Sequence, residues 1–271
     1  MKNRNKNTAL SKNITNHVHT GLAIVRAYGR NIRNTKNEPE APFLKYIISP
    51  DDICLHIGAT DGRHSYMMEK ILRKGSGHIY AFEPSIITYP VLKGVIALHG
   101  LKHKITPAQL AFSDQSKKLT LNVPIKKSGR RGNAYGFVSE KTQELRPDIE
   151  SQDMIHFDVE AVTIDHIVST QAGRVDFIRM DIEGSEKLAL KGGWESIKKF
   201  KPHLLIEIHP DLLRKQFRTD PQEIYNDFKD LGYEIYHLDT NNKVVPSENF
   251  NIAPWKDYFV LHPERPHKLV I

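Results

Sequence analysis

The sequence is poor in cysteine and contains no long hydrophobic run, and these two absences exclude several classes of protein. One cysteine among 271 residues allows neither a disulfide framework nor a cysteine-based metal site. No apolar run reaches the roughly 18 to 20 residues that a membrane-spanning helix needs. Residues 1–23 lack the continuous apolar core and the small-residue cleavage site of a signal peptide. We therefore expect a soluble protein with a cytoplasmic location.

Acidic residues are outnumbered by basic ones, and the formal net charge is +7. Much of the excess lies in the first forty residues and in the segment Lys126–Arg131. Clustered positive charge attracts polyanions such as nucleic acid. A solvated basic tail and a solvated loop explain the same charge, and we favour this second interpretation.

From residue 52 onward, short apolar runs alternate with segments of helical periodicity, a pattern typical of β-α-β units. Strands are predicted at Ile53–Ile57, His78–Phe82, Ile105–Leu110, Val175–Met180, Leu204–Ile208, Glu234–Leu238 and Tyr258–Leu261. The sequence thus predicts a doubly wound α/β domain with a mostly parallel sheet.

Two segments lie outside this alternation of strands and helices and set the predicted domain boundaries. Residues 1–42 form a basic N-terminal extension in which Ile14–Ile32 could form an amphipathic helix with Ile14, Val18, Leu22, Val25 and Ile32 on its apolar face. The α/β domain covers residues 43–271, and within it residues 116–164 are predicted to be a β-rich insertion. Strand-like runs at Leu119–Val123 and Phe157–Ile164 flank its basic middle, which could cover a bound substrate or be a solvated loop.

The first strand is followed by a glycine turn of the form G-x-x-x-G, made by Gly58 and Gly62. Glycine permits the tight turn there. A dinucleotide site instead uses G-x-G-x-x-G with a phosphate on the helix end, so the spacing here favours a nucleoside cofactor without phosphate. The next strand ends at Glu83, about twenty residues further on, where a carboxylate can accept hydrogen bonds from both ribose hydroxyls. An ordinary turn and an ordinary strand-end carboxylate are the alternatives.

The third predicted strand is followed by further polar residues at the same edge of the sheet. Ser113 or Asp114 could hydrogen-bond an adenine ring, and Phe112 could stack on it. A turn cap beside a core phenylalanine accounts equally well for these three residues.

The segment Val175–Glu186 carries the strongest functional signal. Its apolar strand delivers Asp181 to the edge where open α/β sheets bind ligands. Glu183 and Glu186 follow directly, and three carboxylates this close repel unless a cation, hydroxyl protons or backbone amides compensate them. We predict a functional role for Asp181, whereas the two glutamates could simply favour a helix N-terminus.

Glu207 and His209 end the next strand, and the two-residue period places them on one face near Asp181. His209 titrates near neutrality and is a candidate base. The three side chains could also hold Mg²⁺, which prefers oxygen ligands, or the pair on the second strand could only shape the pocket wall. We favour a catalytic group of Asp181, Glu207 and His209 without a metal.

Taken together, these segments resemble the FkbM-like methyltransferases, a family of S-adenosylmethionine-dependent enzymes that mostly methylate hydroxyl groups. The matching runs are Asp51–Gly62, Ile79–Pro84, Val162–Asp165, Val175–Glu186, Ala189–Gly192 and Lys201–His209. The resemblance implies a seven-stranded sheet whose last strand is antiparallel to Glu234–Leu238. It also implies S-adenosylmethionine as cofactor and a hydroxyl on a sugar, a glycan or a secondary metabolite as acceptor.

The chain departs from the family at His56, where an aspartate is usual. That residue helps to order the turn and the amino acid end of the cofactor, so His56 is placed in the expected cofactor site. A neutral imidazole keeps one hydrogen bond but lacks the carboxylate's charge. Thr163 and Asp165 resemble a turn of the family and are interpreted as structural, with Asp165 capping a short helix.

The sequence therefore predicts an S-adenosylmethionine-dependent methyltransferase. Two alternatives from other classes stay open: an RNA methyltransferase, favoured by the charge alone, and a non-catalytic nucleoside-binding scaffold, suggested by His56. The glycine spacing argues against a nicotinamide-dependent oxidoreductase.

Overall fold

The computed structural model describes residues 20–33, 38–124, 136–139 and 154–270. The strands are β1 (Ile53–Ile57), β2 (His78–Phe82), β3 (Ile105–Ala108), β4 (Ala111–Phe112), β5 (Lys117–Pro124), β6 (Phe137–Ser139), β7 (Met154–Val162), β8 (Phe177–Met180), β9 (His203–Ile208), β10 (Glu234–Leu238), β11 (Val244–Pro246) and β12 (Lys256–Leu261). The helices are α1 (20–33), α2 (Arg63–Leu72), α3 (Tyr89–Leu98), α4 (Ile164–Ile167), α5 (Glu186–Lys191), α6 (Trp194–Phe200), α7 (Pro210–Phe217) and α8 (Pro221–Asp230).

Eight of these strands form the main sheet, in the order β11-β10-β12-β9-β8-β1-β2-β3. Five neighbouring strands of this sheet, β3, β2, β1, β8 and β9, pair in parallel. Strand β12 lies antiparallel between β9 and β10. The predicted α/β class and the antiparallel last strand are confirmed. The predicted number of seven is wrong, because the short β11 adds an edge strand to β10. Three residues are too few to show the two-residue period in the sequence.

Apolar side chains alternate between the two faces of the main sheet, so both faces are buried. In β1, Leu55 and Ile57 belong to one core cluster together with Ile178 of β8. Cys54 points the opposite way and packs with Phe177 in a second cluster. Strands buried on both faces read as nearly continuous apolar runs, which is why β1 and β8 were recognisable in the sequence.

The insertion forms a separate four-stranded sheet, in the order β4-β7-β5-β6. Strands β5 and β7 pair antiparallel along their whole length, close to the two runs expected there. The third predicted strand, Ile105–Leu110, is too long by two residues: β3 ends at Ala108, and the next strand, β4, joins the second sheet. The basic middle of the insertion, including Lys126–Arg131, lies outside the described residues.

Helix α1 packs on α3 through Ala27, Val91 and Val95. Its apolar face differs from the predicted one, because Leu22 and Val25 are exposed. The first part of the predicted helix lies outside the described residues. No helix of the described ranges is long and apolar enough to cross a bilayer.

Candidate active site

A cavity opens where the carboxyl ends of β1, β2 and β8 meet, at the edge of the sheet where the sequence placed the site. The main sheet contributes the glycine turn after β1, Glu83 after β2 and Asp181 after β8. The second sheet contributes apolar side chains, namely Leu121, Val123 and Val138. The insertion therefore supplies one wall of the cavity.

The turn after β1 is built from left-handed backbone conformations. Gly58, Thr60 and Gly62 have φ angles of +83°, +49° and +78°. A Cβ atom at position 58 would lie 1.9 Å from the carbonyl oxygen of Asp181. Glycine at this position thus lets the ends of β1 and β8 touch, which brings the turn and Asp181 to the same cavity. Gly62 is the N-cap of α2.

Glu83 lies 7% exposed at the tip of β2 and is held by the backbone. Its Oε2 accepts a hydrogen bond from the Thr60 amide at 2.9 Å, and its Oε1 accepts one from the Ser85 amide at 3.0 Å. Burial raises the pKa of Glu83 to about 7, although both amides favour the charged form. Each carboxylate oxygen has capacity for a second hydrogen bond, so Glu83 can still receive a diol.

His56 lies behind the glycine turn and does not line the cavity. It is buried, and its Nδ1 is 2.6 Å from the Ser65 hydroxyl oxygen. Burial, followed by the nearby His64 and Arg179, lowers its pKa well below the ordinary value. A neutral imidazole is therefore favoured, and it contacts α2 where the family's usual aspartate would carry charge.

The structure brings Phe112 to the cavity but turns the next two side chains away. Phe112 lines the wall and packs edge-on against Phe82, with ring centroids 4.8 Å apart. Ser113 is fully buried, and its hydroxyl lies 3.2 Å from Asp114 Oδ1. Asp114 accepts from Lys117 at 3.1 Å and from Lys191 at 3.3 Å. Partial burial alone would raise the pKa of Asp114, but the two lysines outweigh burial, so its pKa is lowered.

Three carboxylates form a row across neighbouring strands, and of the three only Asp181 lines the cavity. Asp257 of β12 lies opposite Glu207 of β9 in the strand register. Asp181 directly follows the last paired residue of β8 and is level with Glu207. Residues level with each other on adjacent strands share a face of the sheet, and like charges placed this way are destabilising. Such a row needs a compensating charge.

Arg179 supplies that charge from below the row. It lies two residues before Asp181 on β8, on the same face, and is only 2% exposed. Its Nη1 donates to Asp257 at 2.8 Å, and its Nη2 lies 3.4 Å from both Asp181 and Glu207. Sequence reasoning missed Arg179 and Asp257. The available signal was an arginine inside an apolar strand, because a buried charge requires partners.

The protonation of this group follows from its contacts. Burial and the neighbouring Glu207 raise the pKa of Asp181 to about 6, although Arg179 opposes the shift. Burial alone would lower the pKa of His209, but the hydrogen bond to Glu207, 2.7 Å from Nε2 to Oε1, raises it. For Glu207 burial is outweighed by His209 and Arg179, which lower its pKa. These contacts favour a carboxylate on Glu207 and an imidazolium on His209, and 31% of the Asp181 side chain stays accessible.

The two glutamates after β8 have different surroundings. Glu183 lines the cavity, and its Oε2 lies 3.9 Å from His209 Nε2. Glu186 is fully buried and accepts from the Gly184 amide at 3.0 Å. Burial raises the pKa of Glu186 to about 7. A turn-stabilising role therefore suits Glu186, whereas Glu183 belongs to the cavity wall.

The cap of the short helix α4 differs from the prediction. Thr163 is the N-cap, and its hydroxyl accepts from the His166 amide at 3.0 Å. Asp165 instead accepts from the Ser196 amide at 2.7 Å and thereby ties α4 to α6. The side chain reaches a helix that is distant in sequence, which spacing alone does not reveal.

One group of described side chains has ligand atoms that all lie within 4.8 Å of one another, as a metal site would require: Glu38, Glu40 and His64. His64 Nε2 lies 2.7 Å from Glu40 Oε1, and Glu38 pairs with Arg63. The group does not include Asp181, Glu207 or His209. The compensating positive charge beside Asp181 and Glu207 is the guanidinium of Arg179.

The sheet order and the cavity together define a Rossmann-like fold of the methyltransferase type. The chain matches the model of the FkbM methyltransferase domain over residues 56–235, and it belongs to this family of S-adenosylmethionine-dependent methyltransferases. A search of curated proteins finds no significant match.

A solved structure shows the same fold. The FkbM methyltransferase of Methylobacillus flagellatus KT superposes with a TM-score of 0.50 at 19% identity, over 79% of this chain and 44% of that one. This chain thus spans less than half the length of that protein. The O-methyltransferase of Bacillus cereus, solved in complex with SAH, gives a TM-score of 0.47 at 10% identity, over 88% of this chain and 90% of that one.

Proposed function

We propose that this protein transfers a methyl group from S-adenosylmethionine to a hydroxyl of a sugar, a glycan or a secondary metabolite. The observation that carries the proposal is the joint presence of Glu83 and Asp181 in one cavity, with the Gly58 turn between them. One carboxylate suits a ribose diol, and the other suits an acceptor that must lose a proton.

The residues of the cavity fit a nucleoside cofactor. Glu83 would accept hydrogen bonds from the ribose hydroxyls, the ring of Phe112 offers an apolar surface for adenine, and the turn from Gly58 to Gly62 would receive the amino acid end. When bound, S-adenosylmethionine supplies a methyl group on a positively charged sulfur. Ser113, Asp114 and His56 would then act behind the cavity wall by holding the backbone that lines it.

Asp181 is the group we propose to take the acceptor's proton. With a pKa of about 6 it is ionised at neutral pH but still close enough to neutrality to bind a proton. His209 is held as a hydrogen-bond donor by Glu207, which makes it a better candidate for orienting the acceptor than for deprotonating it. In this proposal Glu207 and His209 position the acceptor oxygen toward Asp181.

An aromatic ring beside this group supports a ring-shaped polar acceptor. Trp255 is 49% exposed, and its ring centroid lies 6.2 Å from that of His209. An exposed indole presents a flat apolar face and a polar N–H, and hydrogen-bonding side chains stand next to it. A sugar ring, which has apolar faces and hydroxyls at its edges, matches both features.

The test is to incubate the purified protein with methyl-labelled S-adenosylmethionine and a fractionated lysate. We expect label in polysaccharide or small molecules, in a form stable to mild alkali as an ether is, and no label with Asp181→Asn. Label in RNA, lost on ribonuclease treatment, would contradict the proposal and favour the RNA methyltransferase. Absence of label, together with absence of calorimetric heat on adding S-adenosylmethionine, would favour the non-catalytic scaffold.

A further inference from the structure

A second cavity lies at the opposite edge of the main sheet, where the parallel strands begin. We call it the lysine groove; its rim is formed by Lys45, Tyr46, Lys70, Lys74, His267 and Lys268. These residues come from the segment before β1, from the end of α2 and from the segment after β12. Because Glu83 and Asp181 lie at the far ends of their strands, the lysine groove is separate from the candidate active site.

The rim concentrates positive charge, and the Lys70 ammonium contacts an aromatic ring, 4.3 Å from the centre of Tyr66. Among the described side chains, none of the four lysines has a carboxylate within ion-pair distance. Neighbouring basic residues do: Arg73 pairs with Glu69 and Lys201 pairs with Glu264. The adjacent carboxylate, Asp51, is engaged by the backbone and the hydroxyl of Ser76. A cleft lined by one sign of charge attracts counter-ions of the other sign.

The floor of the groove is apolar, which distinguishes it from a simple basic surface. Ile47, Ile48 and Ile71 line it. Tyr46, at the edge of the groove, is 38% exposed, and Lys45 Nζ lies 4.8 Å from the centre of the Tyr46 ring. An inorganic anion would contact only the lysines. A ligand that also has an apolar or aromatic part would contact the floor as well.

Two of the three segments that form the groove are joined by a backbone hydrogen bond. The amide of Lys268 donates to the carbonyl of Tyr46 at 2.7 Å. This bond fixes the segment after β12 against the segment before β1, so the groove is formed before any ligand arrives. A preformed site loses less conformational freedom on binding.

We propose that the lysine groove binds an organic phosphate, in which phosphate groups adjoin an aromatic or apolar portion, as in a nucleoside diphosphate. Lysine binds phosphate as a point charge, and four ammonium groups suit a ligand with more than one negative charge. The exposed Tyr46 ring and the isoleucine floor would receive the base. The proposal is independent of the proposed methyl transfer, because it uses none of the residues of that cavity.

The test uses uridine diphosphate as probe, with uridine and inorganic pyrophosphate as its two halves. Titration calorimetry is run with saturating S-adenosylhomocysteine present, to keep the probe out of the other cavity. We expect uridine diphosphate to bind at least tenfold more tightly than either half. Its affinity should fall steeply between low and high salt. No heat, or equal binding of pyrophosphate, would overturn the proposal.

Two double variants locate the binding. Lys70→Gln with Lys74→Gln removes two rim charges and should weaken the binding of uridine diphosphate at least tenfold. Lys198→Gln with Lys199→Gln removes the same charge from the exposed side of α6 and should leave the affinity for uridine diphosphate unchanged. Equal losses in both variants would show non-specific attraction and contradict the site. Binding only to vesicles that contain phosphoinositide, and not to the soluble probe, would also overturn it.

Discussion

The two sides of the candidate active site hold their carboxylates in different ways. Glu83 is fixed by two backbone amides that follow from the local turns after β1 and β2. Asp181 and Glu207 depend on the side chain of Arg179, which also binds Asp257. A backbone-held group tolerates changes around it, whereas a group held by one buried side chain does not. We therefore expect single substitutions to separate the two sides.

The largest effect is expected for Arg179→Met, because it leaves three clustered carboxylates without their cation. Removing one partner of a buried ion pair costs about 3 to 5 kcal/mol of unfolding free energy. Urea denaturation followed by circular dichroism measures the loss. The matched control is Arg214→Met, which breaks an exposed pair with Asp220 and should cost about 0 to 1 kcal/mol. Similar losses in the two variants would contradict the role of Arg179.

Next in size is the loss of turnover in Asp181→Asn. A positioned base contributes about 10² to 10⁴ in rate, and asparagine keeps the shape without the charge. We expect turnover to fall by that factor, while the dissociation constant for S-adenosylmethionine stays within about threefold, a difference under about 0.7 kcal/mol. Steady-state kinetics and calorimetry provide the two readouts. Retained turnover would make Asp181 structural and place the base elsewhere.

A smaller effect is expected on the other side of the cavity. Glu83→Ala should weaken binding of S-adenosylmethionine by about 1 to 3 kcal/mol, the usual loss for a hydrogen-bond partner that carries charge. Asp114→Ala should weaken it less, because Asp114 is engaged by Lys117 and Lys191 and points away from the cavity. The reverse ranking, measured by calorimetry, would move the cofactor's contacts from Glu83 to Asp114.

The smallest predicted effect is a pH dependence of cofactor binding. The pKa of Glu83 is raised to about 7 by burial, so the free protein holds a proton that a ribose-binding carboxylate must lose. Affinity for S-adenosylmethionine should rise about tenfold from pH 6 to pH 8, since one pKa unit corresponds to about 1.4 kcal/mol. In Glu83→Gln this rise should disappear. A rise of equal size in the variant would assign the titration to another group.

The same shift predicts the sign of a stability change. Because the folded state raises the pKa of Glu83, folding favours its protonated form, and the contribution of Glu83 to unfolding free energy falls as pH increases from about 4.5 to 7. Glu186 has a similarly raised pKa and shifts stability in the same direction. Binding of the cofactor, measured in the Glu83→Gln variant, is therefore the more specific readout.

The parts of the site that could be predicted from the sequence are local ones. The tip of β2 at Glu83, the glycine turn and the end of β8 at Asp181 each follow from a short apolar run and the residue after it. The pairing of Arg179 with Asp257 could not be predicted in this way, because 78 residues separate the two. It requires β12 to lie next to β9, and this in turn depends on how the last strands enter the sheet.

The amino-acid sequence by itself determined the α/β class, the glycine turn after β1 and the positions of the strand-end carboxylates, since periodicity and turn chemistry act over a few residues. The tertiary structure alone decided which carboxylates share Arg179, that the second sheet walls the cavity, and that four lysines from three distant segments line one groove. Charge compensation and cavities depend on contacts between strands and helices that are far apart along the chain. Such contacts arise only when the layers pack.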